Sequence, residues 1–224
     1  MKQGLILSYT QLFMLAAAQG SDVIAGLPKF TPDTAPEKLF AQVKGLTEAG
    51  LIVPDGDSFV CSPEGAEIGR RLGSAESFIL FRSNQRDLPD FSCYPGSELM
   101  LCTPSMIQKD KASVRFVTMD ELLSILLDEG YIADVEEQFE PDDEELTCFE
   151  MQIDRPEPGS LLPEDGSVMF SAEKIRAGKN ESDSVTIVSY YYFHYMIERV
   201  CGKTRRLRFS PAAVRNALKG MVSL

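Results

Sequence analysis

The chain has 224 residues, 44% of them hydrophobic, and a formal net charge of −12. That is enough chain to bury a sizeable core as one domain or two packed halves. No window approaches the ~20 apolar residues of a membrane-spanning helix, so no membrane insertion is expected, and 34 Asp+Glu against 22 Lys+Arg exclude a broadly basic protein.

Met1 to Ile6 holds one Lys and no cleavage signature after a long apolar run, and Leu12–Ala18 is a short amphipathic piece, so a signal peptide is not expected. Ser8-x-x-Gln11, Thr34-x-x-Glu37 and Thr118-x-x-Glu121 fit capping boxes. Ser62-Pro63 and Ser210-Pro211 place a cap before a proline at the first helical position. Gly20, Gly50 and Gly130 sit where a left-handed residue ends a helix. This punctuation predicts helices over about 9–19, 35–49, 63–82, 119–129, 172–177 and 211–221.

Strand signals fall between the helices. Leu51–Val53 and Phe59–Cys61 flank Asp55-Gly56, a hairpin turn signal. Leu99–Ile107, Ser113–Val117 and Thr147–Ile153 read as strands, and residues 154–166 as a Pro-rich surface connection. "SVTIVSYYYFHYMIERV" (184–200) reads as the spine of a sheet, with Val185–Arg199 and Arg205–Phe209 flanking "VCGKT". "GAEIGRRLG" puts Gly65, Gly69 and Gly73 along one helix face, where another helix can pack closely.

A weak internal echo suggests the architecture. "VRFVTMDELLSIL" (114–126) resembles "LRFSPAAVRNAL" (207–218), and "LTEAGLI" (46–52) resembles "LLDEGYI" (126–132). The expected fold is α+β, with a mixed or antiparallel central sheet in two pseudo-repeated halves flanked by helices and a winged-helix-like N-terminal part. The halves are placed at 1–130 and 131–224, sharing one sheet. Charge is uneven: residues 134–145 carry eight carboxylates and no base, whereas "RVCGKTRRLRF" (199–209) is the most basic stretch. Such blocks are usually solvated surface, and their opposite signs leave a homodimer open.

Chemistry is poorly supplied. The five cysteines are scattered without C-x-x-C, which favours reduced thiols in a cytoplasmic protein over disulfides or zinc. The only histidine, His194, lies among aromatics and reads as a locally bonded core residue. No nucleophile elbow, phosphate loop or dinucleotide fingerprint is present. No catalytic, metal or cofactor residue is assigned, and enzyme activity is not expected. Asn180-Glu181-Ser182 fits a glycosylation sequon by chance.

"LTEAGLIVPDGDSFVCSPEG" (46–65) has the helix–wing–helix order of a winged-helix DNA reader. In the 35–49 helix, Leu39, Phe40, Val43 and Leu46 form the inward stripe, leaving Glu37, Lys38, Gln42, Lys44 and Glu48 outward. Two lysines offset by two glutamates, with Asp55 and Asp57 at the wing tip, do not supply the cations that release counterions from DNA. No nucleic acid is expected as a partner, and a winged-helix-derived regulator is kept only as an alternative. A second alternative is an immunity or scaffold protein binding a basic partner.

The layout resembles the EspG-type proteins of type VII secretion loci, and small proteins encoded beside WXG secretion substrates in Firmicutes look like distant versions. The resembling stretches are "LSYTQLFMLAAAQGSDVIAGLP", "LTEAGLIVPDGDSFVCSPEG" and "VRFVTMDELLSILLDEG". The acidic middle and the Pro-rich connection depart from that pattern. The resemblance implies a cytoplasmic chaperone or adaptor that keeps small helical secreted proteins of its own locus soluble, with no catalytic motif to carry across. Such a protein needs an apolar surface rimmed by polar groups. The candidates are Phe91, Tyr94 and Met100, in and at the end of the loop "LPDFSCYPGSELM" (88–100), and Tyr190 and Tyr192 of the spine.

Overall fold

The computed structural model describes residues 4–31, 35–73, 76–133, 166–176, 182–190 and 193–223. The chain forms two compact units. One comprises Met1–Leu80, Pro89–Thr118 and Arg176–Gly178, the other Phe81–Leu88, Met119–Ile175 and Lys179–Leu224. They interleave along the sequence instead of dividing at residue 130.

In the first unit, β1 (Leu5–Ser8) runs straight into α1 (Tyr9–Ala17). Ser8 Oγ accepts from the Gln11 amide at 3.1 Å, and Gln11 Oε1 accepts from the Ser8 amide at 2.9 Å, the reciprocal box expected there. α2 (Pro36–Glu48) starts on a proline, with Ala35 at the N-cap position and no side-chain cap bond. The expected cap, Thr34, lies outside the described residues. α2 ends through Gly50 at φ 69°, where the Gly50 amide bonds the Thr47 carbonyl and the Leu51 amide the Leu46 carbonyl. Those two bonds satisfy carbonyls that would otherwise be orphaned at the helix end.

The hairpin β2 (Ile52–Asp55) and β3 (Ser58–Cys61) follows, then α3 (Pro63–Gly73), whose Gly65 amide donates to Ser62 Oγ. The turn is centred on Gly56-Asp57, one residue later than the Asp55-Gly56 signal, with φ +60° at its first central residue. Glycine supplies that conformation without strain. The small-residue face of α3 is close-packed: a Cβ at Gly69 would lie 2.1 Å from the Leu15 carbonyl oxygen, and one at Gly65 2.1 Å from that of Leu51.

α3 stops at Gly73, not at 82 as expected; residues 77–83 form β4 (Ser77–Ser83). Ile79 and Phe81, both 0% exposed, alternate with less buried neighbours. That period of two marks a strand. β5 (Phe91–Tyr94), β6 (Leu99–Pro104) and β7 (Lys111–Val117) complete the order β1-β7-β6-β5-β4. Leu12, Leu15, Leu46, Ile68, Leu72, Met100 and Val114 meet in one core. Buried Arg71 clamps the β5–β6 connection: its guanidinium donates to the carbonyls of Tyr94 (3.3 Å) and Glu98 (2.6 Å), and its Nε to Glu67 at 2.7 Å.

The second unit contains α4 (Met119–Asp128), β8 (Gly166–Arg176), β9 (Asp183–Tyr190), β10 (Phe193–Val200), β11 (Lys203–Arg208) and α5 (Pro211–Ser223). Its strand order is β4-β8-β9-β10-β11, and the β8–β9, β9–β10 and β10–β11 pairings are antiparallel. Residues 184–190 and 193–200 therefore pair as two antiparallel strands and not one spine strand. Seventeen consecutive residues exceed an ordinary strand length, and Phe193 pairs back on Tyr190.

Residues 172–176 of the segment 172–177 expected as a helix belong to β8, where Ala172 and Lys174 are buried and pair with Val185 and Asp183; residue 177 lies outside the described residues. Eight cross-strand partners outweigh a weak local preference. Cys201 and Gly202, at φ 50° and 74°, make the β10–β11 turn, and two positive φ values are what a type I′ turn requires. Ser210 Oγ caps α5 through the Ala213 amide at 3.1 Å. The strand expected at 147–153 and the acidic run 134–145 lie outside the described residues.

Candidate partner-binding surface

Burial relocates the aromatic candidates. Phe91 (3% exposed), Tyr94 (1%) and Met100 (0%) are strand residues of the core, not part of an open loop. The Tyr94 hydroxyl donates to the Ala25 carbonyl at 2.5 Å, and burial pushes its pKa well above the ordinary value. Turn formers at Pro89, Pro95 and Gly96 bracket a strand of only four residues, which is why the segment reads as a loop. Tyr190 ends β9 with its side chain outside the described set, and Tyr192 lies outside the described residues.

Large apolar groups face outward on α2 and on the β2–β3 hairpin, and singly or in pairs at Ile6, Val23, Met106–Ile107 and Leu207. Phe40 is 73% exposed, whereas Leu46 is the buried residue of α2. The expected inward stripe was one residue too wide: Leu39, Val43 and Leu46 follow the i, i+4, i+7 spacing, and Phe40 lies about 100° round from Leu39. Gln42, expected outward, is turned toward α1. Its Oε1 accepts from Ser8 Oγ at 2.7 Å, and its carbonyl accepts from Gln11 Nε2 at 3.3 Å.

The hairpin is a sheet of two strands. Only Ile52, at its base, is buried; Val53, Pro54, Phe59 and Val60 are exposed. Val53 pairs with Val60 on one face and Pro54 with Phe59 on the other, so both faces are apolar. The rim is acidic: Asp55, Asp57 and Glu64 are all exposed. On α2, Lys44 and Glu48 form an exposed i,i+4 pair at 3.8 Å. Along the sequence the hairpin stands between α2 and α3. The signal missed in the sequence was "IVP…FVC": apolar residues at successive positions of strands too short and too few to be covered.

The titratable groups with clear shifts take them from burial and pairing. Burial pushes the Cys93 and Cys102 thiols up to about 12, leaving them protonated and inert. A hydrogen bond from Arg71 lowers the Glu67 carboxyl, which serves the clamp on the β5–β6 connection. Burial lowers the His194 imidazole. Among the described residues no group of three or more His, Cys, Asp or Glu is placed to hold a metal ion. Among them, too, no helix is long and apolar enough to cross a membrane.

No protein-family model and no curated protein matches the chain. Among solved structures it is similar to the Mycobacterium tuberculosis type VII secretion system chaperone EspG5, solved in complex with the PE25–PPE41 dimer. Identity is 11%, the match covers 98% of this chain and 96% of that one, and the TM-score is 0.52. At that identity the likeness is one of architecture: the chain has an EspG-like α+β fold.

Proposed function

We propose that the chain is a non-enzymatic chaperone or adaptor that holds a small helical secreted protein of a type VII-like system soluble in the cytoplasm before export. The observation that carries this reading is the end-to-end match of fold, 98% of one chain against 96% of the other, to a type VII secretion system chaperone solved with the PE25–PPE41 dimer. The apolar wing and Phe40 support it. Val53, Phe59 and Val60 are between 42% and 53% exposed, and Phe40 is 73% exposed. Exposed apolar surface is what a partner covers. Firmicutes-type kinship, and a duplication behind the β7–α4 and β11–α5 units, belong to the same proposal.

Co-expression with small helical proteins encoded beside this gene, followed by size-exclusion chromatography, tests the reading. A partner that is insoluble alone and co-elutes with the chain is expected. Failure of every neighbour to co-elute would remove it.

A further inference from the structure

Two locally unfavourable features meet at one cavity in the second unit. The β8–β9 register steps from Val168↔Val188 to Phe170↔Ile187, which makes Met169 the extra residue of a β-bulge. A bulge interrupts the ladder and re-aims a side chain, and bulges concentrate beside functional sites. Met169 lines a cavity of about 260 Å³ with Tyr131, Ile132, Ile187, His194 and Phe209. His194 meets Phe209 edge-on, with ring centroids 5.9 Å apart at 79°. Its Nδ1 is buried with no hydrogen-bond partner among the described residues. In the Nε2–H tautomer Nδ1 is an acceptor, and left in that state it costs stability that a ligand's donor would restore.

The chemistry of the walls restricts the ligand. Of the ten lining residues, Tyr131, Ile132, Ile187 and Phe209 are almost entirely buried apolar or aromatic side chains. The one amide, Gln85, already donates to the Gly130 carbonyl, and no lining side chain carries a charge to pair an ammonium or carboxylate. A neutral donor suits the imidazole acceptor. A cavity of ~150 Å³ holds benzene, so the larger volume accommodates a ring with one substituent.

We infer that this cavity binds a neutral aromatic group carrying a single hydrogen-bond donor, a phenol or an indole, which donates to His194 after the imidazole turns about its Cβ–Cγ bond. The group is either a free small molecule or a Tyr or Trp side chain of a protein. The site is independent of the hairpin surface and stands without the chaperone reading.

His194 is the chain's single histidine, so imidazole ¹⁵N resonances report on this site alone. The full chain is titrated with p-cresol, toluene and N-acetyltyrosinamide. Saturable p-cresol binding that moves the Nδ1 resonance is expected, about fivefold tighter than toluene, the worth of one net hydrogen bond. In His194→Phe that preference should disappear. Binding by N-acetyltyrosinamide as well assigns a side-chain ligand; binding by p-cresol alone assigns a free molecule. No saturation up to the solubility limit, equal affinity for toluene, or a preference that survives in His194→Phe overturns the inference. The wild-type titration decides the matter even where the variant folds poorly.

Discussion

Lys174 Nζ donates to the carbonyl of Met221 at 2.6 Å, and Lys174 is only 2% exposed. Met221 lies in the last turn of α5, so a buried ammonium caps the negative end of that helix. Directly across the β8–β9 ladder is Asp183, also 2% exposed, whose Oδ1 accepts from the Cys201 amide at 2.9 Å. Two buried charged residues thus tie a helix end and a hairpin turn to the middle of a sheet. Removing one buried charge strands its neighbours, at a cost of ~3–5 kcal/mol. Lys174→Ala is expected to lose stability in that range, read from urea midpoints. A joint Lys174→Met, Asp183→Asn variant should recover much of it, because both charges go, volumes are nearly kept and an amide oxygen can still accept from the Cys201 amide.

The glycines of α1 and α3 separate two causes of a glycine requirement. Gly69 faces the Leu15 carbonyl oxygen, 2.1 Å from where a Cβ would stand; Gly20, at φ 85°, has nothing within 4 Å. Gly69→Ala must push two helix backbones apart and should cost ~3 kcal/mol. Gly20→Ala pays only for its backbone conformation, about 1 kcal/mol. Equal losses in chemical denaturation would show that the close packing of α1 on α3 is wrong.

Stability should depend on pH through the one imidazole. Burial holds the folded His194 below its ordinary 6.5, so the unfolded chain binds that proton more tightly. Its contribution is complete above about pH 6.5 and is lost as the pH falls through the lower folded value. Urea midpoints measured between pH 5 and 8 should drop on the acid side of 6.5. The drop should be shallower in His194→Phe.

Much of the fold was legible where residues act locally. The Ser8–Gln11 box, the Ser62 and Ser210 caps, the Gly20, Gly50 and Gly130 stops and the glycine face of α3 each carry their mechanism within a few positions. Gly50 in "LTEAGLI" and Gly130 in "LLDEGYI" both take the positive φ that a glycine helix stop needs. Their bonding differs, since Leu51 reaches back to Leu46 whereas Ile132 reaches back to Leu126.

What escaped the sequence was decided by distant partners. β1 and β5 are four residues long, β4 follows a helix through apolar residues that fit either period, and β8 pairs with a strand that begins at Asp183. The binding aromatics were misplaced for the same reason. Phe91 beside Pro89 looked like a loop residue, yet at 3% exposure Phe91→Ala is a core deletion, expected to cost ~3–5 kcal/mol instead of reporting on a partner.

The β2–β3 wing gives the cleaner surface test. Phe59 and Val60 are 53% and 42% exposed on opposite faces, and α2 and α3 flank the hairpin in sequence. Changing both to aspartate should move the chain's own stability by less than ~1 kcal/mol, because solvent already surrounds them. The most direct measurement is the soluble, co-eluting yield of a helical neighbour-encoded protein expressed with the wild-type chain and with Phe59→Asp/Val60→Asp. A soluble complex with the wild type, reduced at least tenfold by the double change at equal yield of the chain itself, is the expected result. A helical neighbour that is equally soluble with the wild type, with the variant and with neither present would contradict it.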